Sequence, residues 1–391
     1  MGTTHPLESL LAQEPEDGRP RALYVHVPFC FHKCHYCDFY SLVDTRDRQE
    51  PFTARLSAEL EALAPFAGPL ASLFVGGGTP TLLRPDLWRQ LLKTLGSRFD
   101  LGQAEFTVEC NPETASTELF DTLVAGGVNR ISIGAQSFDP GHLRTLERWH
   151  DPSNVGRAIE MARSAGIERQ SVDLIFAIPG QTLDQWRADL QQALDLGVTH
   201  LSCYALTYEP NTAMTARLHR GEFIAADEDV EADMLELTLA TLRRAGFERY
   251  EVSNYAKPGM SCRHNLAYWR QEQWLAAGPS ASGHVSGWRW KNVARLDSYL
   301  KSVDGLPAGT GLPPVVDVEP PDATRALAER LMTALRLSEG IDARDMSPLL
   351  HAEAERQAAM GNLEIDGGRW RLTDAGMMLA DGIASEFMAR V

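Results

Sequence analysis

The chain has 391 residues, 44% of them hydrophobic and 23% charged, and carries a net charge of −16. That length exceeds what one hydrophobic core usually organises, so two or three structural units are expected. The acidic balance argues against a nucleic-acid partner, whose affinity comes from clustered Lys and Arg, and suits solubility or docking to a basic surface.

The stretch from Met1 to Arg21 carries Glu8, Glu14, Glu16 and Asp17 and no apolar signal-peptide core, so 1–21 reads as a disordered tail. No apolar run approaches the ~20 residues of a transmembrane helix. Cys110, Cys203 and Cys262 stand far apart, which is not a disulfide framework and points to a reducing cytoplasm. From residue 22 onward strands and helices alternate. A strand at 22–28 enters a loop with three cysteines, and a helix follows over 48–66. A strand at 73–75 opens into Gly76-Gly77-Gly78-Thr79-Pro80, followed by a helix over 84–97. Strands at 105–109, 130–134, 170–176 and 200–206 repeat the pattern, with helices near 115–125, in the stretch up to 165, and over 182–196. Six β–α units imply a parallel sheet with helical crossovers. The polar and glycine-rich residues fall just after strand ends, as in α/β barrels. The expected fold is therefore α/β, a partial six-stranded (β/α)6 TIM-like barrel over 22–225, with a doubly wound open sheet as the competing topology.

Past Tyr208 the rhythm breaks. A helix over 227–245 and a strand at 247–252 lead into a segment rich in glycine and aromatics, with Trp269, Trp274, Trp288 and Trp290. Together these make an extension over 226–306. Residues 307–321 hold five prolines and read as a linker. Helices at 322–336, 342–347 and 349–360, a turn-linked pair at 363–365 and 370–372, and a closing helix make 322–391 a small α+β unit with a winged-helix-like order. Its dense Asp and Glu favour a packing or partner-docking role over DNA binding.

Cys30, Cys34 and Cys37 lie within eight residues in a C-x3-C-x2-C spacing. A disulfide would strand one thiol. Tetrahedral zinc would need a fourth ligand such as His32 or His35. A cubane iron–sulfur cluster held by three thiolates leaves one iron open. The Gly76–Gly78 turn lets bare backbone approach a ligand, and it lacks the dinucleotide and P-loop signatures. Glu109, Gln136, Arg148 and Asp173 sit at or beyond successive strand ends. Each alone could be a rim salt bridge; together with the thiols they suit a ligand with an amino-acid end, a ribose and an adenine.

The series Tyr24-x-His-x-Pro-Phe-Cys30, Gly-Gly-Gly-Thr-Pro, Glu109-Cys-Asn-Pro and Gly134-x-Gln-Ser resembles the radical S-adenosylmethionine (SAM) superfamily. More narrowly, over about 22–380, it resembles the oxygen-independent coproporphyrinogen III oxidase-like group. The resemblance implies a 4Fe–4S cluster on Cys30, Cys34 and Cys37, with SAM chelating the open iron beside Gly77, Gly78 and Thr79. It also implies that Tyr24, Tyr36, Glu109, Gln136, Arg148 and Asp173 line the SAM pocket, and that an electron reaches the sulfonium to give a 5′-deoxyadenosyl radical. Within the group, true oxidases carry a further cysteine two residues after the third, where this chain has Phe39, and a longer N-terminal arm. The His264-Asn-Leu-Ala-Tyr268-Trp269 motif is similar to that of the group's haem chaperones. There it implies haem binding through His264, with Cys262 as a competing ligand and core packing as the plain structural role. The resemblance thus implies a haem chaperone delivering to haem-requiring acceptors such as respiratory enzymes, with peripheral contact at membrane-bound ones and a flavodoxin- or ferredoxin-type electron donor. The alternative it leaves is the oxidase itself.

Overall fold

In the computed structural model, which describes residues 6–12, 18–301 and 311–391, six strands stand in chain order. They are β1 (Ala22–Val27), β2 (Ser72–Gly77), β3 (Glu105–Cys110), β4 (Arg130–Gln136), β5 (Arg169–Phe176) and β6 (His200–Ala205), each parallel to the next. A doubly wound sheet would reverse its order at a switch point. With no reversal, successive right-handed crossovers lay their helices on one face. The chain therefore builds the expected partial α/β barrel.

Period-two alternation then divides the strands into two faces. Leu23, Val25, Leu73, Val75, Phe106, Val108, Ile131, Ile133, Val172, Leu174 and Leu201 form one buried core with helix residues such as Leu56, Trp88, Leu91, Phe120, Ile159 and Trp186. The intervening residues belong to the other face: Tyr24, His26, Phe74, Glu109, Arg130, Ser132, Asp173, His200 and Ser202 all line one cavity there.

Both edges of the sheet are extended. On one side β9 (Trp274–Ala277) runs parallel to β1, followed by antiparallel β10 (Ser282–Val285), β11 (Trp288–Asn292) and β12 (Val315–Glu319). On the other, β6 pairs antiparallel with β8 (Asn254–Ala256), which takes β7 (Glu248–Arg249). The helix Arg263–Trp269 covers the N-terminal ends of the barrel strands. Its Arg263 N–H donates to Glu105 at the start of β3 (2.7 Å), and its His264 ring meets Ser72 at the start of β2.

A second core, with Leu331, Leu350, Trp370 and Phe387 at its centre, holds the C-terminal unit. Its three-stranded sheet is β13 (Ile341–Asp342), β14 (Leu363–Asp366) and β15 (Arg369–Leu372), in the order β13-β15-β14. Arg270 clamps Glu339 through two hydrogen bonds of 2.8 and 2.7 Å, tying this unit to the extension.

Three expectations change. The tail at 1–21 contains a helix, Pro6–Leu11, whose Leu7, Leu10 and Leu11 are buried in the main core. The linker at 307–321 contributes β12 to the large sheet, while its residues 307–310 lie outside those described. The helix expected at 342–347 is instead β13 and a turn. Ile341 pairs with Trp370 and Asp342 with Arg369, so sheet pairing overrides the local helical pattern.

Candidate cofactor-binding site

The thiol loop springs from the C-terminal end of β1 and is pinned at its base. The Cys30 N–H donates to Leu42 O (2.9 Å) and the Leu42 N–H to Pro28 O (2.8 Å). Cys30, Cys34 and Cys37 are free thiols and half-buried, and burial pushes Cys30 up and Cys37 up to about 11. Cys30 Sγ lies 3.6 Å from Thr79 Oγ1, and the Arg148 guanidinium lies 3.7 Å from Cys34 Sγ. Neither candidate fourth ligand for zinc is offered to the thiols. His32 stacks on Trp149 at 4.1 Å, and His35 Nδ1 sits 3.2 Å from Arg217. Among the described residues no three His, Cys, Asp or Glu side chains close around a single ion. A cubane takes each thiolate on a different iron, so it suits thiols spread around a larger body with a cation beside them.

The glycine turn sits directly against this loop. The Gly78 N–H donates to Val27 O (2.8 Å) and the Thr79 N–H to Phe29 O (2.7 Å). Gly77 has φ of +111°, and a Cβ there would lie 2.5 Å from the His26 ring, so both conformation and space require glycine. Its N–H donates to Glu109 (3.0 Å). Burial, and then the charge of Asp173, lift Glu109 to about 8. Burial also raises Asp173, which accepts from Ser132 Oγ at 3.1 and 3.0 Å.

A register shift in β4 sets Gln136 at φ +65°. The Gln136 amide and the Arg148 guanidinium converge over Gly134, where a Cβ would lie 2.7 and 3.0 Å from them. Arg148 also donates to Gly134 O (2.9 Å). Tyr36 packs against the patch of Leu146, Ile178 and Met214 beside the loop. The structure thus gathers Gly77, Gly78, Thr79, Glu109, Gln136, Arg148 and Asp173 at one end of the barrel, with the thiols above them.

Below this rim lies a cavity of about 570 Å³, within the usual range for small-ligand sites. Tyr24 lines it from β1, its hydroxyl 3.0 Å from His26 Nδ1, and stacks on Phe74. Phe74 in turn stacks on His264 at 5.3 Å, and Tyr268 meets His264 edge-on at 4.7 Å. His264 is 2% exposed, and burial lowers it to about 3, so the ring is neutral. Its Nδ1 lies 3.0 Å from Ser72 Oγ, while Nε2 is buried and has no hydrogen-bond partner among the described residues. Cys262 lines the same cavity, pushed up to about 12 by burial.

"Heme chaperone HemW" of Mycobacterium tuberculosis is 38% identical over 375 residues, covering 94% of this chain and 95% of that protein. The chain belongs to the HemW family. Its Escherichia coli member is 33% identical to this chain, over 95% of it and 98% of that protein. Residues 24–193 match the radical SAM superfamily model and 322–379 the HemN C-terminal domain model. The radical SAM domain implies a 4Fe–4S cluster and SAM. The fold is that of Escherichia coli coproporphyrinogen III oxidase (HemN), a radical SAM enzyme, with a TM-score of 0.83 at 22% identity over 98% of this chain and 93% of that one.

Beyond the residues expected from the sequence, the structure places His26 and Arg130 on the cavity and Ser72 against His264. Their signal was the polar alternation along the strands: Tyr24 and His26, Arg130 and Ser132, Ser171 and Asp173, His200 and Ser202 recur two residues apart.

Proposed function

We propose that the chain is a haem chaperone that holds haem inside the barrel on His264 and delivers it to haem-requiring proteins. In this reading Cys30, Cys34 and Cys37 hold a 4Fe–4S cluster, and SAM lies between it and Gly77, Gly78 and Thr79, flanked by Tyr24, Tyr36, Glu109, Gln136, Arg148 and Asp173. The observation that carries the haem assignment is His264 Nε2, an imidazole nitrogen buried in a cavity with no protein partner. A buried polar atom left unpaired is costly, and an imidazole whose other nitrogen is fixed is a ready axial ligand.

When bound, the cluster and SAM supply one-electron chemistry. The protein's residues orient and shield them. Arg148 sets a positive charge beside Cys34, which offsets the charge of the thiolates. Glu109 holds the glycine turn in place through the Gly77 N–H. Phe39, at the place of the oxidases' further cysteine, is 63% exposed at the cavity mouth and offers no thiol, which favours chaperoning over porphyrinogen oxidation.

No helix among the described residues is long and apolar enough to cross a membrane. A cytoplasmic protein meeting membrane-bound respiratory acceptors peripherally, and reduced by a flavodoxin- or ferredoxin-type donor, completes the proposal. So does the division into a barrel over 22–225, an extension over 226–306 and a C-terminal unit over 322–391.

The test is anaerobic reconstitution followed by iron, sulfide and haem counts per chain, with transfer of haem to an apo-haem protein. Single Cys→Ala changes at 30, 34 and 37 are expected to remove iron and sulfide. Full iron in all three variants, or turnover of coproporphyrinogen by the wild type, would overturn the reading.

A further inference from the structure

Arg130, the first residue of β4, is a buried charge with no direct ion pair among the described residues. It is 2% exposed, yet among the described residues its one hydrogen bond runs from Nη1 to Met260 O (3.2 Å) and its Nε has no partner. It makes no salt bridge with any described carboxylate. The nearest acids are occupied elsewhere. Glu105 accepts from Arg169 (3.1 Å) and from the Arg263 N–H (2.7 Å), and Asp173 accepts from Ser132 and Ser171. A guanidinium cannot shed its charge; Glu105 and Asp173 act on that of Arg130 through space, but neither makes the direct ion pair that a buried charge favours. Arg130 lines the same cavity as His264.

We infer that Arg130 is the anion-binding point of the cavity and receives a carboxylate of the porphyrin whose iron His264 ligates. The inference rests on the haem reading and deepens it. An arginine fork matches a carboxylate in shape and charge, and haem carries carboxylates at its edge while its metal sits at its centre. One cavity that holds both an unpartnered imidazole nitrogen and a guanidinium without a direct ion pair fits that pair of groups. The SAM carboxylate is a poor match. From Arg130 to Gly134, where Arg148 reaches toward the thiols, the strand climbs about 13 Å.

The test compares haem with haem dimethyl ester, first on the wild-type protein, where no variant can misfold. Haem is expected to bind roughly 10- to 100-fold more tightly than the ester, the worth of a charge-assisted hydrogen bond. Arg130→Met is expected to erase that preference and Arg130→Lys to keep part of it. Equal binding of the two porphyrins by the wild type, with spectra still sensitive to His264→Ala, would overturn the role of Arg130 and leave the haem reading standing. Spectra of both porphyrins indifferent to His264→Ala would remove the haem reading and this inference with it.

Discussion

Ser72 Oγ lies 3.0 Å from His264 Nδ1, joining the first residue of β2 to a helix 192 residues further along the chain. The His264 ring lines the cavity, and its Nε2 is buried and has no hydrogen-bond partner among the described residues. The serine thus holds the ring's orientation, as outer-shell partners of metal-binding histidines do. Ser72→Ala is expected to weaken haem binding by about tenfold without abolishing it, and His264→Ala to do more. A haem titration of the two variants side by side checks the ranking.

Glu109 gives a pH dependence of known sign. Its ordinary value of 4.5 is raised to about 8 by burial and Asp173. Its contribution to stability is therefore fully present below about pH 4.5 and is lost as the pH rises toward 8. Glu109→Gln stays neutral, so the melting temperature of cluster-free protein is expected to fall less between pH 5 and 8 in the variant than in the wild type. The same substitution is expected to weaken SAM binding, measured by calorimetry on reconstituted protein.

Gly77 allows no side chain. Gly77→Ala sets a Cβ against the His26 ring at a φ of +111°, which costs about 1–2 kcal/mol in conformation alone. The variant is expected to melt lower and to lose SAM binding. Gly96, where a Cβ would meet nothing within 4 Å, is the control site, and Gly96→Ala is expected to leave SAM binding unchanged.

Glu105 anchors the helix that carries His264, through the Arg263 N–H, while pairing with Arg169. Glu105→Ala removes a buried acceptor from the Arg263 N–H and the half-buried Arg169 and is expected to destabilise the protein by roughly 2 kcal/mol. Haem affinity is expected to fall while iron and sulfide per chain stay at the wild-type level, because the thiol loop is at the opposite end of the strands.

The rim of the site was legible in the sequence because its residues stand where apolar strands stop. Glu109, Gln136 and Asp173 each interrupt a hydrophobic run, and the glycine turn follows β2 directly. Ser72 and Arg130 open their strands and look like ordinary polar strand ends. What gives them meaning is contact with His264 and Met260, 192 and 130 residues away, which arises only when the segment between β8 and β9 crosses the strand starts. The same holds for β9, whose parallel pairing with β1 spans the whole barrel. The N-terminal helix carried a weak signal in Leu7, Leu10 and Leu11, spaced for one helical face, but the acidic residues around it spoke for a free tail. At 342–347, Gly340 with φ +65° turns the chain onto β15, a tertiary pairing that local propensity does not encode.

The central claim is that His264 ligates haem within the barrel. Its most direct measurement is the Soret and electron paramagnetic resonance spectra of haem-loaded wild type, His264→Ala and Cys262→Ser proteins. The account predicts that Cys262→Ser reproduces the wild-type signals and that His264→Ala changes both. A His264→Ala spectrum superimposable on the wild type, with haem still bound in equal amount, would contradict it.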